Sequence, residues 1–403
     1  MNMKHLFVGI DISKDKFDAA ICDWKGRSVF GPKEYAQDQT GMEQLKTDIE
    51  IYSKEMRTDI LLGCESTGIY HLPLVEFCDR NGLKIRVFNA IELKKYHKSR
   101  VRKTRNDSID AMTIAKAMVI EGDFPDEFKI SPEVKTLRQL TRVRTRIADQ
   151  ISTIKRRIDK DLDIICRGYT KLFSNIMYPS SIAVMKKCIQ LTRPFDRSEN
   201  ELSEILKVAR HPDPAGKAKE IRAVFDKAVI PDGYLESCVL EIKFLIQQYE
   251  LLSEQKEALE ERIVRLVSNF NTQIMTINGI GETNAGIILG EIGSIEKFDD
   301  VDELVAFSGL DPSVHDSGNF HSVSKHISKR GSPYLRTAMY LSAVSAIRCN
   351  PVCKAFAERL KNKGKKNKVI IVAVARKLLT IVYSVLKNNK PFFVPKSIVI
   401  TET

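Results

Sequence analysis

Nowhere in its 403 residues does this chain carry an uninterrupted apolar run of the roughly 20 residues that a membrane helix needs, so no bilayer span is expected. The N-terminus, Met1–Ser13, lacks the long apolar core and small-residue site of a secretory leader, and an acid already stands at Asp11. Cysteine is sparse and scattered, at 22, 64, 78, 166, 188, 238, 349 and 353, with no CxxC pair. That speaks against a zinc ribbon or a thioredoxin-like motif and leads us to expect a reduced, cytoplasmic protein. Cys349 and Cys353, four apart, suit two small core residues on one helix face. There is no internal repeat and no low-complexity tract.

What the chain does have is positive charge: 64 Lys and Arg against 52 Asp and Glu, a net +12. Such an excess favours a polyanionic partner, with nucleic acid the default. The apolar share of 43% is ordinary for a globular protein, and the length suits two or three domains.

Residues 1–125 alternate between strand and helix patterns. Strands are expected at 6–13, 17–23, 27–35, 59–67 and 84–89, and helices at about 40–54 and 68–80. Trp24-Lys25-Gly26 reads as a tight turn and Asn81-Gly82 as a helix stop. Three hairpin-like strands followed by helix–strand–helix–strand–helix is the order of a ribonuclease-H-like mixed sheet. Residues 126–270 hold two long helices, 131–165 and 235–268. Both carry apolar residues every three or four positions, the pattern of a coiled coil formed within one chain or between subunits. The segment between them, 166–233, contains Pro179, Pro194, Pro212, Pro214 and Pro231 and reads as an insertion of short helices. Residues 271–395 form a third, helical region with a Gly-rich start, a loop at 309–333 and helices near 333–350, 352–362 and 368–388.

Four constellations carry chemistry. Asp11 ends the first strand and Glu65 the fourth, while Asp107 and Asp110 open a helix three residues apart on one side. In a ribonuclease-H-like fold these points converge. Four carboxylates there suit two Mg²⁺ or Mn²⁺ ions about 3.5–4 Å apart, acting on the attacking and leaving oxygens of a phosphodiester. Singly, each acid has an ordinary reading: Asp107 as a helix-start acid, Glu65 as a turn residue, Asp11 as a strand-end cap. Asp15 and Asp18 look like hairpin surface residues.

The second constellation is basic. Lys94, Lys95, Lys98, Arg100, Arg102, Lys103 and Arg105 lie in one 12-residue stretch running into Asp107. A solvated face is the plain reading, but beside a carboxylate cluster the stretch suits a phosphate backbone. Arg138, Arg142, Arg144, Arg146, Lys155, Arg156 and Arg157 continue the charge along the first long helix. Lys361, Lys363, Lys365, Lys366 and Lys368 form a third patch around Gly364.

The third is Ile277-Asn278-Gly279-Ile280-Gly281 with Ala285, the helix–hairpin–helix spacing. There, Gly279 and Gly281 can bring backbone amides and a helix N-terminus to a phosphate. The fourth is the loop from Ser308 to Ala343, with Ser313, Ser317 and Ser328 and with His315, His321 and His326, whose spacing matches no zinc site. A serine there can act as a nucleophile if its surroundings activate it, although Ser317 before glycine also suits a turn. Lys325, Lys329, Arg330 and Arg336 look like phosphate partners.

Taken in order, GIDISKDKFD, CESTG, RNDSIDAMTIA, INGIGETNAGIILGEIG, FSGLDPSVHDSG, ISKRGSPYLRTAMYLSA and VARKLLTIVYSVLK resemble the DEDD transposases of the IS-one-ten and IS-eleven-eleven insertion sequences and the related pilin-gene invertases. The resemblance covers about 1–160 and 235–390; 166–233 matches nothing recognisable. It implies a RuvC-like domain with Asp11, Glu65, Asp107 and Asp110 as a metal tetrad, and a C-terminal domain whose serine nucleophile best matches Ser317. Asn319 and Phe320 follow where the family often has more glycine, which leaves Ser313 and Ser328 as lesser candidates. It further implies DNA as substrate, a noncoding bridge RNA as guide, a dimer or tetramer, and a cytoplasmic, nucleoid-associated protein of a bacterium or archaeon. Two other readings compete. GIDIS also resembles the first phosphate loop of actin-like kinases and ATPases, but no second phosphate strand or adenosine loop is well placed. An inactive nucleic-acid-binding protein would have no need of the four acids.

Overall fold

The computed structural model describes residues 5–66, 68–88, 93, 107–122, 131–192, 194–312, 316–317, 320–321 and 326–394. For 107–110, 316–317 and 320–321 the description is of the backbone. The chain divides into two compact units, Met1–Lys129 and Ile130–Thr403.

The first unit is built on a five-stranded mixed sheet: β1 (His5–Ile12), β2 (Lys16–Cys22), β3 (Ser28–Ala36), β4 (Asp59–Glu65) and β5 (Lys84–Phe88), in the order β3-β2-β1-β4-β5. The first three run antiparallel as consecutive hairpins, and β4 and β5 join β1 in parallel. All five lie within a residue or two of the strands expected from alternation. The turn at 24–26 forms with Gly26 at positive φ and its amide donating to the Asp23 carbonyl.

Alternation splits β1 cleanly. Leu6, Val8, Ile10 and Ile12 pack with residues of helices α1 (Gln39–Met56) and α2 (His71–Arg80) in one core layer. Phe7 belongs to a second layer with Ile114, Ala115, Ala117 and Met118 of α3 (Asp107–Glu121). Helix α2 starts at His71 rather than at Gly68, because Gly68 takes a left-handed conformation that a right-handed helix cannot include.

In the second unit the two long helices, α4 (Pro132–Ile165) and α8 (Leu235–Val267), pack against each other within one chain. Ser131 caps α4, accepting from the Val134 amide, with Pro132 in the first turn as the sequence signals. Arg144 pairs with Glu260, and Arg157 with Glu241, so residues advancing along α4 meet residues receding along α8. The pair is antiparallel.

The inserted segment folds as short helices α5 (Pro179–Cys188), α6 (Glu199–Val208) and α7 (Pro214–Phe225) around a core of its own. Prolines open α5 and α7, and a Ser198–Glu201 capping box opens α6. Tyr169 lies at the centre, fully buried, its hydroxyl donating to the Ser181 carbonyl at 3.0 Å.

The ends of α4 and α8 enter a second core with α9 (Glu282–Ile292), α10 (Val301–Ser308), α11 (Pro333–Cys349), α12 (Pro351–Asn362) and α13 (Asn367–Asn388). Helix α13 corrects one expectation: it is long and apolar enough to cross a membrane by length and composition. Arg376 and Lys377 interrupt its apolar run in sequence, which hid it. Here Ile370, Val374, Leu378, Leu379, Val382 and Val385 are buried in the protein core.

Candidate active site

Register places the first two acids. Gly9 pairs with Gly63 and Ile10 with Cys64 on adjacent parallel strands, so Asp11 and Glu65 follow at the same ends. Alternation puts both on the face of Gly9 and Gly63. That face carries α3. A Cβ on Gly9 would lie 2.0 Å from the Ala111 carbonyl oxygen and 2.3 Å from the Ala115 amide, and one on Gly63 would lie 2.5 Å from Met118 Sδ. The glycines therefore let α3 press directly on the sheet. Asp110 is the residue before Ala111, and Asp107 opens the same turn, so the turn bearing both lies at the helix's contact with β1, two residues before Asp11.

Asp11 and Glu65 are half-buried and engaged in polar interactions. Asp18 lies directly opposite Asp11 on β2 and is also half-buried. Cross-strand partners point to one face, so a residue set aside in the sequence as hairpin surface stands beside the first acid. The signal was available: six residues separate them around a tight hairpin. Among the described residues no group of three or more His, Cys, Asp and Glu side chains is arranged to hold a metal; the side chains of Asp107 and Asp110 lie outside that description.

The serine loop has a firm root. Ser328 N donates to the Asp311 carbonyl at 2.8 Å, Lys329 N to that of Gly309 at 3.1 Å, and Ser332 N to that of Phe307 at 2.7 Å. The Ser328 hydroxyl is taken up by Asp311 Oδ1. Beyond the root, β6 (Asp316–Ser317) pairs antiparallel with β7 (Phe320–His321), Ser317 opposite Phe320, so Ser317 is the last residue of its strand. Ser313, His315 and Lys325 lie outside the described residues.

A buried ionic node holds this root to the long helix. Glu291 is 2% exposed and accepts from Arg142 Nε at 2.7 Å, Arg142 Nη2 at 3.0 Å and Ser332 Oγ at 2.8 Å. Ser332 also caps α11. Beside it Arg138 Nε donates to the Gly290 carbonyl at 2.6 Å. Lys297 lies 4.2 Å from the Phe307 ring centre and 4.7 Å from that of Phe298. Burial foremost, with the charge of Arg138, lowers its pKa to about 8 although Glu291 opposes.

This node divides the basic stripe expected along α4. Arg138, Arg142 and Arg144 are half-buried against internal partners, whereas Arg146 and Arg157 are exposed, Arg157 in a surface ion pair with Glu241. Carboxylates distant in sequence took up Arg142, Arg144 and Arg157, and backbone carbonyls took up Arg138, which periodicity alone does not reveal. Arg336 is half-buried and donates to the Ser308 carbonyl at 3.0 Å, while Lys329 and Arg330 are exposed. Lys94, Lys95, Lys98, Arg100, Arg102, Lys103 and Arg105 lie outside the described residues.

At the Gly-rich turn, Ile277, Ile280 and Ala285 are buried in the core. Gly279 has φ +102°, and a Cβ there would lie 2.6 Å from Ala346 Cα on α11, so its first duty is close packing. Gly281 differs: space beside it is open, and it starts α9 with no side chain capping the first-turn amides. A single 3-10 turn, Ile274–Thr276, precedes the hairpin.

Two family models match the chain. One, described as a transposase of the DEDD IS110 type, matches residues 8–167; the other, the transposase IS116/IS110/IS902 family, matches 271–358. The chain is 25% identical to the pilin gene-inverting protein of Moraxella bovis over 392 residues, 97% of this chain and 98% of the relative. It is 28% identical to the transposase for insertion sequence element IS1111A of Coxiella burnetii over 404 residues, 96% of this chain and 90% of the relative. The first model covers the sheet from within β1, α3 and α4, and the second runs from the Gly-rich turn through the serine loop into α12. The chain belongs to the IS110 family of transposases, enzymes that recombine DNA.

Proposed function

We propose that the first unit is a ribonuclease-H-like, RuvC-like domain in which Asp11, Glu65, Asp107 and Asp110 bind two Mg²⁺ or Mn²⁺ ions, and that Ser317 is the nucleophile. The observation that carries this reading is the register that sets Asp11 and Glu65 at adjacent strand ends, on the face pressed by the helix that begins with the other two acids. The donor set fits hard divalent cations, being carboxylate oxygens throughout. Bound there, the ions would neutralise charge on the phosphodiester and on its leaving oxygen.

The chain's own residues do the rest. Ser317 Oγ attacks a DNA phosphorus, an O–P bond to serine forms, a P–O bond to deoxyribose breaks, and the sugar oxygen leaves as a hydroxyl. The reverse step, with a new sugar hydroxyl, rejoins DNA and frees the serine. The root holding residues 309–332 to α10 and Glu291 keeps the hairpin on a fixed base, which transesterification at a defined phosphate needs. Gly281 and the start of α9 offer open backbone amides to a phosphate, and Lys329 and Arg330 offer charge. The basic stretch 94–105 would hold nucleic acid beside the acids. Guidance by a bridge RNA and assembly as a dimer or tetramer belong to the same reading.

The test is adduct trapping. Incubated with donor DNA and Mg²⁺, the wild type should yield a covalent protein–DNA species resistant to denaturant, and Ser317→Ala should yield none. An adduct that persists moves the nucleophile to another residue. Asp11→Asn and Glu65→Gln should lower cleavage at least 100-fold with DNA binding retained; full cleavage by either removes the metal assignment.

A further inference from the structure

We propose that the turn between α12 and α13 is a DNA-backbone clamp, in which Lys361, Lys363, Lys365, Lys366 and Lys368 grip duplex phosphates. All five are exposed, and none forms an ion pair with a described residue. They crowd into eight positions around Gly364, whose φ is +72° and beside which space is open. Acids are scarce in the chain nearby: Glu358 stands one turn before Lys361 on α12, and from Arg359 to Thr401 there are eleven Lys and Arg and no Asp or Glu.

Their placement opposes the usual rule for a helix start. The N-terminus of α13 has no acid in its first turn and no capping side chain at Lys366. A helix start carries partial positive charge and favours anions. Here Lys365, Lys366 and Lys368 add full positive charge to it. These like charges repel one another, and a bound anion relieves that repulsion. An array of phosphates fits both the lysines and the free amides.

Duplex DNA is the occupant for two reasons. The family acts on DNA, and α13 itself leads from the clamp to the serine loop. Arg376, on the same helix, donates to the Leu310 carbonyl at the loop's root at 3.2 Å. Nine residues of helix separate it from Asn367, about 14 Å of rise. A duplex carries one charge per roughly 1.7 Å of axis, so one whose phosphate reached the loop root would still present charges to the clamp. The placement beside the loop bears on the function proposed above; the DNA contact does not depend on Ser317 being the nucleophile.

The full chain is titrated with a labelled 30-base-pair duplex between 50 and 300 mM NaCl, and binding is read by anisotropy. Replacing all five lysines by glutamine should weaken binding at least tenfold at 150 mM and reduce the log–log salt slope by about 2–4, near 0.9 per lost phosphate contact. The matching Lys→Arg variant should keep both affinity and slope, and Ser317→Ala should bind as the wild type does. An unchanged slope with glutamine overturns the clamp. So does a loss confined to a hairpin RNA of equal length with duplex binding intact, which would assign the lysines to RNA. If Ser317→Ala still forms an adduct while the glutamine variant loses slope, the nucleophile is reassigned and the clamp stands.

Discussion

Two residues of the ionic node make opposite demands on the core. Glu291 is a carboxylate removed from water and satisfied by a bidentate arginine and a serine hydroxyl. Replacing it with leucine strands the guanidinium of Arg142, which is 34% exposed, so the loss should be about 3 kcal/mol, the low end for a broken buried pair. The double variant Arg142→Met, Glu291→Leu should recover part of that, read by urea unfolding; no recovery would mean that the pairing is not what stabilises the site. Lys297 is the reverse case. Its folded pKa, about 8, lies below its ordinary 10.5, so the folded state holds the charged form at a disadvantage. Below pH 8 that disadvantage is fully present. Between pH 8 and 10.5 the unfolded chain binds the extra proton, so this group's contribution to stability rises with pH. Lys297→Met should therefore unfold at a higher temperature than wild type at pH 7, and the difference should shrink toward pH 10. A difference independent of pH would place its cause outside the amine.

The glycine turn before α9 joins two jobs in one short element, and the two can be separated. Gly279→Ala drives a methyl into Ala346 at a left-handed backbone position, so the second unit should lose about 2 kcal/mol or more by denaturant titration. Gly281 has open space and an ordinary φ, so Gly281→Ala should change stability by under about 1 kcal/mol. If its amides meet a phosphate, that variant should still bind DNA more weakly; unchanged affinity would make the whole turn a packing device. Strands and the start of α4 were legible beforehand because they are local, whereas the start of α2 was not, since Gly68 turns left-handed. Ser131-Pro132 opens α4 as expected, and β1 alternates as its burial requires; that Pro179 and Pro214 open helices was seen only in the structure. The partner of the long helices was not legible, since an apolar seam is the same whether its complement lies in the same chain or another. The antiparallel pairing of α4 with α8 answered it.

Helix α13 raises a question about the molecule as a whole, because its composition alone would allow a membrane span. Its apolar residues are instead the floor of the second unit's core. Leu378→Ala should destabilise that unit by about 3 kcal/mol through a cavity, and the chain should fractionate without detergent. Recovery only from detergent-treated membranes, with Leu378→Ala neutral, would identify the helix as a span. Net charge speaks on the same scale. The +12 excess favours a polyanion, yet Arg138, Arg142 and Arg144 of α4 are half-buried against internal partners, so the surface available to DNA is smaller than a count of Lys and Arg suggests.

By itself the sequence determined the periodic and the chemical: five strands, two long helices, an insertion rich in proline, and acids and serines in an order that one family shares. These follow from side-chain alternation and backbone preference within a few residues. Only the tertiary structure decided which charges are available and which are consumed, why Gly9 and Gly63 must lack side chains, and that Asp18 stands across from Asp11. Such facts depend on strand register and on contacts between residues more than a hundred positions apart, as between Arg142 and Glu291. No local pattern encodes which of many carboxylates a given arginine will meet once the chain has closed.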